Sequence, residues 1–326
     1  MSQLRVHFDR PLLADEAAHL NPALASGILV TEGGDPPPRT DVLISGRPTR
    51  EQLSAAPELR AVIVPWAGLP SEMRDLMRQY PGVSVHNLHH NAAPVAELAL
   101  MLLLAAAKFA ARYDRALRAN DWRLRYERPA PTILLEGRTA LILGYGAIGR
   151  RVAAACRALG MTTLATRRRL DAAKWDGETE VYPAAALRDL LPRANAVIIC
   201  LPHTPDTDGL LGAAELALLP APAVLVNIGR GRIVDERALY EALRDGRLAA
   251  AGLDVWYSYP PDEASRADWP PSAHPFGELD DVILSPHRGG ATDETARLRM
   301  TALAGMLNDA AAGRPLENQV DLDSGY

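Results

Sequence analysis

Short apolar runs alternate with polar stretches of helical spacing along roughly the first ninety residues of the chain. The apolar runs span four or five residues, a length typical of strands. One polar stretch begins at Thr49 and carries Gln52 three residues later, the form of a helix capping box. The alternation predicts a small parallel α/β domain. Its strands are expected at Leu4–Phe8, Ile28–Thr31, Val42–Ser45, Ala61–Pro65 and Val83–His86.

A longer apolar stretch follows. Between Pro94 and about Arg118 the apolar side chains cover more than one face of a helix, which predicts one long, buried helix with Pro94 in its first turn. Its most apolar part, Leu98–Ala107, has about half the length of a bilayer crossing. The N-terminal residues lack the apolar core of a signal peptide. We therefore expect a soluble, cytoplasmic protein with no membrane partner.

A second alternating region makes up most of the rest of the chain. A helix at Glu236–Arg244, ended by Gly246, lies between two of its apolar runs. A last helix, roughly Thr292–Ala312, is expected to return to the first domain. The pattern predicts a doubly wound parallel sheet. Its strands are expected at Thr139–Leu143, Thr162–Thr166, Ala196–Leu201, Val224–Ile228, Ala250–Val255 and Val282–Leu284.

The turn after the first of these strands carries candidate chemistry. Gly144, Gly146 and Gly149 follow a strand and open a helix, which is the context of a dinucleotide-binding turn. The first glycine allows the tight turn, the second lets backbone approach a pyrophosphate, and the third permits close packing of helix on strand. The amides of Ala147 and Ile148 would face the phosphate charge. We predict cofactor binding here rather than a purely structural turn.

The end of the next strand indicates which nucleotide binds. NAD-binding domains carry an acidic residue there, about twenty positions after the turn, for the ribose 2′-hydroxyl. This chain has Arg167, Arg168 and Arg169 instead. Guanidinium groups suit a 2′-phosphate through charge-assisted, bidentate bonds, whereas the alternative is a solvated basic turn. We predict NADP as the cofactor, with NAD as the second choice.

Three further motifs resemble one family, the D-isomer-specific 2-hydroxyacid dehydrogenases. They are Val-Asn-Ile-Gly-Arg-Gly-Arg-Ile-Val-Asp-Glu at 226–236, Gly-Leu-Asp-Val at 252–255 and Leu-Ser-Pro-His-Arg-Gly-Gly at 284–290. The resemblance runs from about Leu59 to the C-terminus. It implies an α/β fold of two Rossmann-like domains, in which a nucleotide domain (94–290) is inserted into a smaller, flavodoxin-like substrate domain (1–93 plus 291–326). It also implies hydride transfer between NADP(H) and a 2-keto acid or D-2-hydroxy acid.

The resemblance assigns roles to individual residues. Arg230 would clamp the substrate carboxylate and carbonyl with its fixed fork of donors. His287 would pass a proton to or from the substrate oxygen, because the unperturbed histidine pKa lies near the working pH. Asp254 would hold the nicotinamide carboxamide, with a buried backbone anchor as its alternative. Further contacts are implied for the cofactor from Ile228, His287 and Gly289, and for the substrate from Trp66, Ala67, Gly68 and Asn91.

One position departs from the family. Five residues after Asp254, where the family usually has a glutamate that pairs with the histidine, this chain has Tyr259, our third candidate catalytic residue. Glu263 or Asp262 could supply a carboxylate from the loop that follows. A neutral phenol leaves the His287 pKa near or below its ordinary value. Keto-acid reduction is then expected to slow as the pH rises through that pKa.

Composition adds limits on partners. The formal net charge of −5 disfavours nucleic-acid binding, and two cysteines, Cys156 and Cys200, favour a reducing compartment. The trio His86, His89 and His90 could suggest a metal, but no further ligand spacing supports one and we expect none.

For a dehydrogenase, the family resemblance implies a homodimer. Two alternative functions stay open. One is a formate-dehydrogenase-like enzyme, whose relatives carry an uncharged residue at the Tyr259 position. The other is a non-catalytic, corepressor-like regulator that senses NADP(H). Intact Arg230 and His287 argue against the regulator, whereas the missing glutamate keeps it open.

Overall fold

The computed structural model describes residues 3–127 and 131–323. The chain divides into two compact units. Unit 1 comprises Met1–Asn91 and Ala291–Tyr326, and unit 2 comprises Ala92–Gly290. The chain passes from unit 1 to unit 2 at the start of the helix Ala92–Ala107 and returns to unit 1 after Gly290.

The strands and helices of the described residues are numbered in chain order. The strands are β1 Leu4–Phe8, β2 Ile28–Glu32, β3 Val42–Ile44, β4 Ala61–Val64, β5 Ser84–Asn87, β6 Thr139–Leu143, β7 Thr162–Arg167, β8 Lys174–Trp175, β9 Glu180–Pro183, β10 Ala196–Ile199, β11 Val224–Asn227, β12 Ala250–Leu253 and β13 Val282–Leu284. The helices are α1 Ala14–Leu20, α2 Arg50–Ala55, α3 Ser71–Met77, α4 Ala92–Ala107, α5 Ala110–Arg118, α6 Arg123–Tyr126, α7 Ala147–Ala158, α8 Leu187–Leu190, α9 Ala213–Leu216, α10 Glu236–Arg244 and α11 Thr295–Ala311.

Unit 1 is a parallel sheet covered on both faces. The strand order in its described part is β2-β1-β3-β4-β5, the flavodoxin-like order. On one face, Leu303 and Leu307 of α11 pack with residues of β1 and β3. On the other face, Leu53 of α2 and Met77 of α3 pack with β4. Burial of both faces explains why β3 and β4 are continuous apolar runs.

Unit 2 has the longer sheet, in the order β13-β12-β11-β10-β6-β7-β9-β8. Neighbouring strands are parallel except β8 and β9, a short antiparallel pair that the apolar pattern does not predict. The strand order reverses between β6 and β10, where the crossover connections leave toward opposite faces. Ligands of doubly wound sheets bind at the carboxyl edge beside such a reversal.

The long helix expected after Pro94 is broken, and that expectation was wrong. Helix α4 ends at Ala107 and α5 begins at Ala110, with a bend of 68° between them. Phe109 has a left-handed backbone (φ 51°) and is buried in the core of unit 2, so the helical hydrogen-bond ladder stops where this side chain turns inward. Among the described residues, no single helix is long and apolar enough to cross a membrane, although this bent pair passes that test jointly.

Candidate active site

The glycine turn follows β6 and is shaped by close contacts. Gly144 has φ +96°, and a Cβ there would lie 3.0 Å from the carbonyl oxygen of Cys200 on the next loop. A Cβ at Gly149 would lie 2.0 Å from the carbonyl oxygen of Gly144, so only glycine lets α7 approach the strand. Gly146 is exposed, and no atom lies within 4 Å of the Cβ position it lacks. The turn therefore leaves open space beside the second glycine.

The start of α7 offers a positive end to an anion. This helix has twelve residues and begins at Ala147, and its first turn carries no acidic residue. Ala147 is exposed and Ile148 half-buried. Free amides and the helix dipole at such an end attract phosphate. The exposed Arg167 ends the neighbouring strand β7. The residues present thus fit a dinucleotide with an added phosphate.

The tyrosine inside the glycine turn is fixed by a network that the sequence does not reveal. Tyr145 is buried, and its hydroxyl donates to the carboxylate of Asp176. The guanidinium of Arg150 lies 4.6 Å from the centre of the Tyr145 ring and 3.7 Å from Asp176. Asp176 also accepts from the amide of Thr179, 2.8 Å away. The β8–β9 hairpin therefore holds the turn in place.

Arg230 follows β11 between two glycines that must pass close to neighbouring backbone. A Cβ at Gly229 would lie 2.6 Å from the carbonyl oxygen of Leu201, and one at Gly231 would lie 2.4 Å from that of Trp256. The buried Asn227 bonds both ends of this turn, donating to the Arg230 carbonyl (2.9 Å) and accepting from the Gly229 amide (3.0 Å). The turn thus presents Arg230 at the carboxyl edge of the sheet.

The charge of Arg230 is not neutralised locally. In the part of the chain that the structure describes, its guanidinium makes one hydrogen bond, from Nη1 to the carbonyl oxygen of Gly229 (2.6 Å), and no ion pair. Burial lowers its pKa, while the nearby Tyr259 raises it. A half-buried guanidinium with unused donors is a site for a carboxylate.

His287 lies after β13, next to Tyr259. The Tyr259 hydroxyl is 3.1 Å from Nδ1 of His287, and the two ring centres are 5.6 Å apart. The same hydroxyl accepts a bond from the backbone N–H of Trp256 (3.1 Å). Glu263, by contrast, is exposed and pairs with Arg266, and Asp262 accepts from Ser265. The structure therefore places the phenol, and neither carboxylate, against the imidazole.

Asp254 anchors the loop that carries His287. Its side chain is 2% exposed and accepts from Ser285 Oγ (2.5 Å) and from the amides of Arg288 (2.8 Å) and Gly289 (3.0 Å). Between these bonds, His287 adopts a left-handed backbone with φ 58°. A non-glycine residue holds this conformation only when its surroundings enforce it. The structure shows Asp254 as that anchor, and its contact with nicotinamide stays a prediction, as do those of Gly289 and the buried Ile228.

The surroundings of His287 lower its pKa. Removal of the imidazole from water is the main cause, and the Arg230 cation adds to it, while the Asp254 anion opposes both. The residue retains exposed surface, but protein atoms crowd its ring. The direction agrees with the sequence prediction, so the neutral imidazole is the dominant form at neutral pH.

The motifs and this geometry correspond to a known family model. The model of the D-isomer specific 2-hydroxyacid dehydrogenase, NAD binding domain, matches residues 100–289, which is more than half of the chain. The chain belongs to the D-isomer specific 2-hydroxyacid dehydrogenase family.

Individual members of this family resemble the chain over most of its length. Glyoxylate reductase from Aeropyrum pernix is 37% identical over 274 residues, covering 80% of this chain and 76% of that protein. D-3-phosphoglycerate dehydrogenase from Mycobacterium leprae is 33% identical over 300 residues, covering 88% of this chain. The chain spans about half the length of that relative, 52%.

A solved structure shows the same fold across the whole chain. The D-isomer specific 2-hydroxyacid dehydrogenase from Xanthobacter autotrophicus Py2, in complex with NADPH and MES, superposes with a TM-score of 0.80 at 26% identity and full coverage of both chains. This likeness confirms the α/β architecture with a Rossmann-type domain.

The substrate contacts that the family implies in unit 1 lie after its parallel strands. Trp66 is 41% exposed and packs its indole over Gly46, where a Cβ would collide with the ring. The next residue, Ala67, accepts a bond from the buried Asn87 (2.7 Å), a contact that the sequence does not suggest. The structure thus orders the loop that includes Gly68. Substrate binding by this loop and by Asn91 stays a prediction.

The trio His86, His89 and His90 lies at and just after the end of β5 in unit 1. His86 is bonded to the Glu317 carbonyl (2.8 Å) and to Ser84 Oγ (3.0 Å). Burial lowers the pKa of His89, and burial with the adjacent Arg299 lowers that of His90 to about 4. Among the described residues, no three histidine, cysteine or acidic side chains form a metal-binding group.

Proposed function

We propose that the chain reduces a small 2-keto acid to a D-2-hydroxy acid with NADPH, and catalyses the reverse reaction with NADP. NAD is the second choice of cofactor. The observation that carries the proposal is the unpaired Arg230 guanidinium on the same sheet edge as the His287–Tyr259 pair. A cation for a carboxylate beside a proton-transfer group is what reduction of a keto acid requires.

The cofactor site is proposed at the turn after β6. The amides of Ala147 and Ile148 bind the pyrophosphate beside Gly146, and Arg167 with Arg168 binds the 2′-phosphate. The nicotinamide supplies the hydride when it is bound. The family relative with NADPH supports this choice of nucleotide.

Substrate chemistry is proposed for Arg230 and His287. Arg230 binds the carboxylate and polarises the keto oxygen through its two-pronged donors. His287 donates the proton that the keto oxygen needs once the hydride has reached the carbon. The relatives named glyoxylate reductase and D-3-phosphoglycerate dehydrogenase support a small acid as substrate.

A panel of 2-keto acids, together with formate, tests the proposal with NADPH and NADH. We expect reduction of at least one keto acid and no oxidation of formate. Arg230→Ala should lower kcat/KM by about 100-fold, because two charge-assisted bonds are lost, and leave NADPH binding intact. The control is Arg232→Ala, since Arg232 is exposed and paired with Asp208 (3.0 Å). Absence of turnover across the panel contradicts the enzyme and favours a regulator.

We further propose a cytoplasmic homodimer. Helices α5 and α6 contain no buried residue, and this part of the chain exposes Leu117 of α5, Trp122 just before α6 and Tyr126 of α6 by 52%, 58% and 79%. Exposed aromatic and aliphatic groups of this size mark protein interfaces. Two free cysteines fit a reducing compartment.

A further inference from the structure

Tyr259 makes two hydrogen bonds that determine where its own proton points. Its oxygen lies 3.1 Å from the backbone nitrogen of Trp256 and 3.1 Å from Nδ1 of His287. The Trp256 amide can only donate, so the phenol oxygen accepts that bond. In the described part of the chain, the acceptor left for the phenol proton is the Nδ1 lone pair of His287.

This arrangement sets the tautomer of the neutral imidazole. A neutral imidazole has one donor nitrogen and one acceptor nitrogen. When Nδ1 accepts from Tyr259, the ring proton lies on Nε2. A carboxylate partner can only accept, so a glutamate at this position would hold the proton on Nδ1. The tyrosine therefore selects the opposite tautomer from the one that a glutamate selects.

We propose that Tyr259 supplies a proton to His287 during the reduction, in a relay of two protons. The phenol proton moves to Nδ1 as the Nε2 proton moves to the keto oxygen of the substrate. Tyr259 acts through the imidazole and positions its proton, and the inference rests on the proposed function. It changes the pH dependence expected from the sequence, because the relay needs no imidazolium.

The steps balance in protons and electrons. Once the keto carbon has accepted a hydride, the electron pair of the C=O π bond moves onto oxygen, and this oxygen takes the Nε2 proton. Nδ1 takes the phenol proton, which leaves a neutral imidazole and a phenolate. The phenolate then recovers its proton from Nδ1, and solvent returns one to Nε2. The relay is favourable because an alkoxide is more basic than a phenolate.

The charged groups around the pair support this order of events. Partial removal of Tyr259 from water raises its pKa, so the phenol is protonated at neutral pH, while the Trp256 amide and the Arg230 cation favour a transient phenolate. Burial and Arg230 lower the pKa of His287. The Asp254 anion opposes Arg230 at both groups. The neutral pair is therefore the form present when substrate arrives.

Nitrogen-15 spectra of the His287 ring test the tautomer in the protein without substrate or cofactor. At about pH 8, we expect the proton on Nε2 and a hydrogen-bonded Nδ1 in the wild type. Tyr259→Phe should remove the Nδ1 hydrogen-bond shift, and Tyr259→Glu should move the proton to Nδ1. The control is Tyr257→Phe. The Tyr257 hydroxyl donates to the Val234 carbonyl (3.1 Å), and its removal should leave the His287 spectrum unchanged. A proton on Nδ1 in the wild type would overturn the proposal.

Kinetics test the relay itself. The wild-type kcat/KM for reduction should stay level between about pH 7 and 9, whereas that of Tyr259→Phe should fall with rising pH and be about 100-fold lower at pH 8. The rate plotted against the deuterium fraction of the solvent should curve for the wild type and Tyr257→Phe, as two moving protons require, and be linear for Tyr259→Phe. A linear wild-type plot, or parallel pH profiles, rejects the relay. If no keto acid is reduced, the proposed function fails while the spectra still decide the tautomer.

Discussion

Arg167 ends β7 as an exposed cation where an NAD-binding domain carries an acid. The glycine turn and the start of α7 would contact only the parts that NAD and NADP share, so the distinction falls to Arg167 and the adjacent Arg168. The choice of nucleotide therefore depends on single side chains. Their effect is measurable as a difference between two binding constants.

We predict that NADPH binds about 10- to 100-fold more tightly than NADH, and that Arg167→Asp removes most of this difference. The reason is the loss of charge-assisted bonds, worth roughly 1.5–3 kcal/mol. Titration of both nucleotides by fluorescence measures it. Arg247→Asp makes the same charge change at an exposed position beside Asp245 and should leave the ratio unchanged. Equal affinities in the wild type would contradict the assignment of NADP.

At this scale, the sequence predicts residues whose own side chains carry the chemistry. Arg230 and His287 stand out because they fall in two motifs of the family that the chain resembles. Asn227 and Ser285 do not stand out, because they act by bonding backbone or a buried carboxylate that is distant in sequence. For Asp254 the sequence favours a cofactor contact, whereas its three bonds to the His287 loop depend on folding.

The sequence predicts a helix or strand accurately where its apolar side chains are buried along its whole length. The apolar pattern locates β6 and α10 to the residue, but it extends β10, β11 and β12 by one or two residues into the loops that carry the site. Among those loop residues, Cys200, Leu201 and Ile228 are apolar because they pack in or against the cores of unit 2. The pattern also cannot show the break at Phe109, since that residue is as apolar as the helix before it.

Contact between α4 and β12 provides a prediction at this scale. A Cβ at Gly252 would lie 2.7 Å from the Cβ of Leu102, within a core that leaves no room for it. Gly252→Ala should therefore lower the free energy of unfolding by about 1–3 kcal/mol. Gly305→Ala is the control, because Gly305 is exposed in α11 with no atom within 4 Å of its missing Cβ. It should raise that free energy by about 0.5–1 kcal/mol. Urea denaturation measures both, and a neutral Gly252→Ala would show that the helix can shift.

For the whole chain, the alternation of short strands and helices predicts two parallel α/β units, and their separate cores agree with this. Parallel sheets bury both faces, so their strands are visible as apolar runs. Assembly is less visible, because an exposed apolar side chain and a buried one look alike in a sequence. Only the structure separates the buried α4 from the exposed α5 and α6.

The homodimer is tested on those exposed helices. Within unit 2, ion pairs from Arg112 to Asp281 (3.4 Å) and from Arg115 to Asp280 attach α5 to the residues just before β13, so a charge placed on its apolar side should leave the unit folded. We predict twice the chain mass for the wild type by light scattering, and the single mass for Leu117→Glu with Trp122→Glu, because unpaired carboxylates cannot enter an apolar interface without a large desolvation penalty. Leu29→Glu alters a residue of similar exposure (47%) in β2 and should remain dimeric. If the double variant still has twice the chain mass, the interface lies elsewhere. If the wild type has the mass of a single chain, the homodimer is contradicted.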